Sequence, residues 1–129
     1  MTILIVEDNA TNAMILKRIA EKVTAEDVVV EPDAGVALKR CHGEQFSFLI
    51  VDQIMPGMSG VQFIKAVRMI GRYDDVPIVM VTADHEPKLR DEAIAAGVRD
   101  FLTKPIDTVV LRAILSSHRD CEETLVRSA

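Results

Sequence analysis

Short runs of consecutive apolar residues alternate along this chain with longer stretches in which apolar residues recur every three or four positions. Uninterrupted runs of this length are typical of strands that are buried on both faces of a parallel sheet. Clear runs occupy residues 3–6, 48–51, 78–81 and 101–103, and a weaker run occupies residues 28–30. The pattern therefore predicts five strands.

The stretches between these runs have the apolar spacing of helices that pack one face on a core. Ser59 and Gln62 have capping-box spacing, Pro87 suits a first helical turn, and Gly97 suits a helix C-terminus. The predicted core-facing stripes are Ala13, Leu16, Ala20 and Val23; Ala34, Ala37, Leu38 and Cys41; Val61, Ile64 and Val67; Leu89, Ala93 and Ala96; and Leu111, Ile114 and Leu115.

Regular strand–helix alternation predicts an α/β fold with helices on both faces of a parallel sheet. With right-handed crossovers, we expect a flavodoxin-like, doubly wound, five-stranded parallel sheet of order 2-1-3-4-5 with five helices. Residues 1–118 are predicted to form one domain. Residues 119–129 are polar and mixed, and they either extend the fifth helix or begin a linker.

Composition limits the class of protein. The chain has 129 residues, of which 49% are hydrophobic and 27% are charged, as in ordinary globular domains. A net charge of −5 without any Lys/Arg block argues against direct binding of nucleic acid. The two cysteines lack metal-type spacing, and we find neither a signal peptide nor an apolar stretch of membrane-spanning length. We therefore expect a cytoplasmic protein with no membrane contact.

Polar residues stand directly at the ends of four apolar runs. Glu7 and Asp8 follow the first run, Asp52 follows the run at residues 48–51, Thr82 ends the next run, and Lys104 follows the last. The carboxyl ends of parallel strands share one edge of the sheet, and the expected order makes strands 1 and 3 neighbours. We therefore expect the three acids to converge in one pocket.

Three neighbouring carboxylates repel one another unless a cation lies among them. Oxygen ligands without His or Cys select a hard metal, so we expect Mg²⁺, with Mn²⁺ as an alternative. The charge of Lys104 and the hydroxyl of Thr82 would suit a phosphoryl group, and a carboxylate there can act as the nucleophile that forms an acyl phosphate. Asp52, flanked by the other two acids, is the best candidate.

The chain resembles the receiver domains of response regulators in bacterial two-component signalling, of the chemotaxis-regulator type. Four segments carry the resemblance in order: residues 6–9, residues 52–60, residues 81–83, and Lys104-Pro105. The resemblance implies that Asp52 accepts a phosphoryl group from a histidine kinase or a phosphotransfer protein. It also implies a domain that catalyses only its own phosphorylation and dephosphorylation, so any turnover enzyme would be an attached output domain.

The same resemblance implies a metal site. Asp8 is expected to be a direct ligand of Mg²⁺ together with Asp52, and Glu7 is expected to act through water. The backbone carbonyl of Ile54 would complete the site.

The resemblance further implies a conformational switch. Thr82 would move toward the phosphate, Phe101 would turn inward, and Lys104 would pair with the phosphate. The Lys104-Pro105 bond is expected to be cis. The face formed by helix 4, strand 5 and helix 5 would then bind an output domain or a target protein, with homodimerisation as an alternative.

Other functions remain open on the residues alone. A phosphorylation-independent interaction module is the main alternative, although such modules usually lack one of the acids or the lysine. A phosphatase with a nucleophilic aspartate needs a second acid two residues later, where Ile54 stands. A flavin protein would need a Gly- or Ser/Thr-rich phosphate loop after the first strand, and none is present.

Several residues have simpler interpretations. Phe101 is predicted with equal weight to be a core residue or a switch. Cys41 is predicted to be buried and Cys121 to be unpaired in the tail. The methionines at positions 55, 58, 69 and 80 are predicted to pack in the core, and the histidines at positions 42, 85 and 118 to lie on the surface.

Overall fold

The structure, a computed structural model, describes the backbone of residues 1–128 and the side chains of residues 1–118. Strands and helices alternate from the first residues to the last helix. They are β1 Thr2–Val6, α1 Ala10–Val23, β2 Asp27–Glu31, α2 Ala34–Gly43, β3 Phe48–Val51, α3 Gly60–Arg68, a 3₁₀ turn Gly71–Tyr73, β4 Ile78–Thr82, α4 Leu89–Ala96, β5 Asp100–Thr103 and α5 Thr108–Ser128.

The five strands form one parallel sheet in the order β2-β1-β3-β4-β5, which confirms the predicted topology. Strands β1 and β3 are hydrogen-bonded neighbours, and Val6 pairs with Val51 at their carboxyl ends. Because Glu7 and Asp52 are the next residues, the register brings these two acids to the same level of the sheet edge.

Two apolar layers cover the sheet. Leu4 and Val6 point into a layer shared with helices α2, α3 and α4. Ile3 and Ile5 point into the opposite layer, which α1 and α5 complete. Strand β3 is buried along its whole length. This double burial explains why the strand sequences are continuous apolar runs and not alternating ones.

The helix ends follow the local sequence signals closely. Ser59 and Gln62 form the reciprocal capping box at the start of α3, and Gly97 ends α4 with a φ of 113°. Both predictions are confirmed. Pro87, however, lies before α4 and not in its first turn. The Leu89 N–H donates to the Glu86 carbonyl, so residues 86–89 close a turn before the helix begins.

Some predictions for single side chains were wrong. Met69 is 87% exposed at the C-cap of α3 instead of packing in the core. His118 is buried, not on the surface, because α5 places its ring 5.0 Å from the Phe48 ring and its Nε2 3.7 Å from a Glu26 carboxylate oxygen.

Other predictions concern the two cysteines and the tail. Cys41 is buried as a free thiol, as predicted. The prediction for Cys121 concerns a side chain outside the part that the structure describes. The backbone of α5 continues to Ser128, and the domain boundary at residue 118 stays a prediction. Among the described residues, no helix combines the length and the apolar character needed to cross a membrane.

Candidate functional site

The polar residues that end the strands meet at the carboxyl edge of the sheet. Lys104, which follows β5, donates a hydrogen bond of 2.6 Å from Nζ to Glu7 Oε1. The same Nζ lies 3.3 Å from Asp52 Oδ2. One cation thus joins the loops that follow β1, β3 and β5.

Three acids at this edge could hold a metal ion together. One carboxylate oxygen from each of Glu7, Asp8 and Asp52 lies within 4.8 Å of the others. Glu7 and Asp52 are buried, whereas Asp8 is exposed. A cation would therefore reach the buried pair from the side of Asp8. The donors are all oxygen atoms, which are the ligands that Mg²⁺ prefers.

Of the three acids, Glu7 is the most deeply buried. Its side chain is 1% exposed, and its Oε2 atom is buried without a hydrogen-bond partner. Burial and the neighbouring Asp52 carboxyl raise the pKa of the Glu7 carboxyl and Lys104 lowers it, with a net value of about 7. A buried, unsatisfied carboxylate oxygen is costly. A cation or a water molecule in its coordination shell would satisfy that oxygen, so the donor set fits a hard metal.

The pKa of Asp52 is shifted in the opposite direction from that of Glu7. Burial opposes its ionisation, but the neighbouring Glu7 carboxyl and the charge of Lys104 together hold the pKa of Asp52 below its ordinary value. Lys104 is stabilised as a cation in return: burial disfavours its charge, yet Glu7 and Asp52 raise its pKa. The geometry therefore keeps Asp52 ionised and gives any shared proton to Glu7, and an ionised carboxylate is the form that can act as a nucleophile.

The Asp52 carboxylate has a defined orientation. Its Oδ1 accepts hydrogen bonds from the backbone N–H groups of Gln53, at 2.7 Å, and Ile54, at 3.5 Å. Its Oδ2 faces Lys104. One oxygen is thus held by the chain that follows Asp52, and the other points to the positive charge.

Thr82 and Lys104 are linked through the backbone. The Lys104 N–H donates to the Thr82 carbonyl at 2.8 Å, and Thr82 Oγ1 accepts from the Asp84 N–H at 3.2 Å. Thr82 is fully buried at the end of β4. Phe101, which pairs with Met80 in the sheet, is partly buried against the core layer of α3 and α4. The switch roles of Thr82 and Phe101 stay predictions.

The remaining predicted positions lie close to the acids. Ile54 follows Asp52 by two residues, and its side chain is 59% exposed. The Lys104-Pro105 peptide bond is cis. The structure thus brings all of the predicted site residues except Phe101 to the carboxyl ends of the strands. Phe101 lies within β5, the outermost strand on one side of the sheet.

Gln53 and Gly60, for which the sequence predicts no role, both contact the Asp52 segment. The Gln53 side chain accepts a hydrogen bond from helix α3, and a Cβ atom on Gly60 would overlap the Asp52 carbonyl oxygen. The available signals were a polar residue directly after Asp52 and a glycine directly after the capping Ser59.

Comparison with known proteins agrees with this arrangement. The family model of the response regulator receiver domain matches residues 3–116. The chain belongs to this family. The receiver domain is 36% identical over 112 residues to the chemotaxis protein CheY of Pseudomonas aeruginosa, an alignment that covers 87% of this chain and 90% of that protein.

Another relative is much longer than the receiver domain. The cyclic di-GMP phosphodiesterase response regulator RpfG of Xanthomonas campestris is 34% identical over 118 residues, which are 91% of this chain but 31% of RpfG. Among solved structures, the chemotaxis response regulator CheY4 of Vibrio cholerae aligns with a TM-score of 0.81 at 29% identity, covering 91% of this chain and 97% of that one. The resemblance that the sequence motifs carried is confirmed.

Proposed function

We propose that this receiver domain is a phosphorylation-switched signalling domain in which Asp52 accepts a phosphoryl group from the phosphohistidine of a histidine kinase or a phosphotransfer protein. The observation that supports this best is an ionised, oriented Asp52 in contact with Lys104 and flanked by two further acids. Structural acids in loops are usually solvated and do not share a partly buried amine.

The reaction forms an acyl phosphate. An oxygen of the Asp52 carboxylate attacks phosphorus, and an O–P bond forms while the P–N bond to the donor imidazole breaks. The bonding electron pair leaves on the imidazole nitrogen. Lys104 offsets the negative charge on the phosphoryl oxygens, and the N–H of Gln53 keeps the carboxylate in position.

A divalent cation, Mg²⁺ or alternatively Mn²⁺, would be held by Asp8, Asp52 and the backbone carbonyl of Ile54, with Glu7 acting through a water molecule. When bound, such an ion neutralises phosphoryl oxygens and orients them for in-line transfer. The buried, unpartnered Glu7 Oε2 supports this assignment, because an added positive charge favours the ionised form of Glu7.

Phosphorylation acts as a switch through Thr82. Its hydroxyl oxygen accepts a bond from its own loop in this structure, and its O–H group would donate to a phosphoryl oxygen. Because Thr82 and Lys104 are joined by a backbone hydrogen bond, the shift reaches β5 and Phe101. The face of α4, β5 and α5 then changes its preference for an output domain, a target protein or a second copy of the chain.

The test is direct phosphorylation of the purified chain with acetyl phosphate and Mg²⁺, followed by intact-mass measurement. We expect a gain of one phosphoryl group in the wild type and in Asp75→Asn, and no gain in Asp52→Asn. Asp75 is an exposed acid before the amino end of β4, whereas the site lies at the carboxyl end. Failure of the wild type to gain mass, or an unchanged gain in Asp52→Asn, would contradict the proposal.

A further inference from the structure

The start of helix α3 is attached to Gln53 through two hydrogen bonds. The first N–H groups of a helix have no partner within the helix. In α3, the Gly60 N–H donates to the Gln53 carbonyl at 3.0 Å, and the Val61 N–H donates to the Gln53 side-chain Oε1 at 2.9 Å. The next two N–H groups donate to the side chain and carbonyl of Ser59. Gln53 is therefore a second cap of the helix.

Gln53 also contacts Asp52, the proposed phosphoacceptor, through its backbone N–H. The Gln53 N–H donates to Asp52 Oδ1 at 2.7 Å. Gly60 meanwhile sits against the Asp52 carbonyl, where a Cβ atom would not fit. The Gln53 residue is thus fixed at its N–H, its carbonyl and its side chain, and the direction of its N–H depends on α3.

We propose that the Gln53 side chain is a positioning residue for Asp52. By accepting from Val61, its amide oxygen keeps the Gln53 N–H aimed at Asp52 Oδ1, so the carboxylate is presented to phosphorus in one orientation, with Oδ2 toward Lys104. Orientation of this kind contributes to the rate at saturating donor more than to donor binding. The inference rests on the proposed role of Asp52 as phosphoacceptor.

Two substitutions at position 53 separate the side-chain hydrogen bond from side-chain size. Gln53→Met keeps the length and removes the acceptor; we expect the maximal rate of phosphorylation by acetyl phosphate to fall by about tenfold, with half-saturating donor changed by less than about twofold. Gln53→Glu keeps an acceptor oxygen at a helix N-terminus, so we expect it to retain the rate within about threefold.

Gln62 provides the matched control. Its Oε1 accepts the Ser59 N–H at 2.9 Å, so Gln62→Met also removes a side-chain hydrogen bond from the start of α3 but leaves the Asp52–Gln53 segment intact. We expect this variant to lose thermal stability as Gln53→Met does and to keep the maximal rate within about twofold. Equal slowing of both variants would show that Gln53 only caps the helix, and an unchanged rate in Gln53→Met would overturn the proposal.

A second measurement does not depend on phosphorylation. A backbone N–H that donates to a carboxylate gives a downfield amide proton, so NMR should show such a signal for position 53 in the wild type and in Gln62→Met, shifted upfield in Gln53→Met. If the wild type is not phosphorylated at all, the proposed function fails, and this signal alone decides whether Gln53 orients Asp52. An unshifted signal in Gln53→Met would overturn the positioning role in either case.

Discussion

The protonation of Glu7 makes the free energy of unfolding depend on pH. Its pKa of about 7 in the folded state, raised by burial from an ordinary value of 4.5, means that the folded protein keeps a proton that the unfolded chain has released. The stabilisation is complete below about pH 4.5 and is lost as the pH rises through about 7. In metal-free buffer we expect the free energy of unfolding to fall by on the order of 1–3 kcal/mol across this window.

Chemical denaturation in the presence of a chelator, at several pH values between these limits, measures this change. Glu7→Gln should remove most of the slope, because the amide does not titrate, whereas the exposed-site control Asp75→Asn should keep it. Asp52 does not contribute to this slope, because its pKa is lowered from an ordinary value of 3.8 and both values lie below the window of pH 4.5 to 7. A stability that rises with pH here, or an unchanged slope in Glu7→Gln, would disprove the assignment of the proton to Glu7.

At the scale of elements, Arg68 and Gly97 join the ends of α3 and α4. The Arg68 guanidinium donates to the Gly97 carbonyl at 2.6 Å and to the Val76 carbonyl at 2.8 Å. Gly97 has a φ of 113°, and a Cβ atom there would lie 2.8 Å from Arg68 Nε. Any other residue would therefore be strained in its backbone and would also displace the arginine.

We expect Gly97→Ala to lower the free energy of unfolding by about 1–3 kcal/mol. Gly43 is the matched control, because it ends α2 with nothing within 4 Å of an added Cβ and without a positive φ. Gly43→Ala should be neutral or stabilising by about 0.5 kcal/mol. Urea denaturation of the two variants compares them directly, and equal effects would contradict the role given to the Arg68–Gly97 contact.

The strands and the convergence of the acids could be predicted because each follows from local pattern and topology. A strand buried on both faces is a continuous apolar run, and parallel strands place their carboxyl ends together. What depends on tertiary packing could not be predicted. The burial of His118 arises where α5 meets Phe48, and the role of Gln53 arises only when α3 returns to it. Likewise, the sequence could not indicate that Lys104 lies closer to Glu7 than to Asp52.

Across the whole molecule, the central strands of the sheet are held more firmly than the edge formed by β5 and α4. Strands β1, β3 and β4 are buried almost completely, and α1 buries four residues against its layer. Helix α4 has eight residues and buries only Leu89 and Ala93, and β5 beside it is partly exposed. Regions with few buried apolar contacts open at lower free energy than the core. The side of α4 and β5 is therefore the part that a change at Thr82 and Lys104 can move most easily.

Hydrogen exchange on the full chain tests this difference. With Mg²⁺ and the phosphoryl mimic beryllofluoride, we expect exchange to slow in the loop of residues 83–88 and to change in α4 and β5, because Thr82 and Lys104 are drawn to the added group. Helix α2 and strand β2, on the far side of the sheet, should keep their exchange rates. Asp52→Asn should show neither effect. A change spread evenly over both sides, or one centred on α2, would mean that the signal does not leave the site through β4 and β5.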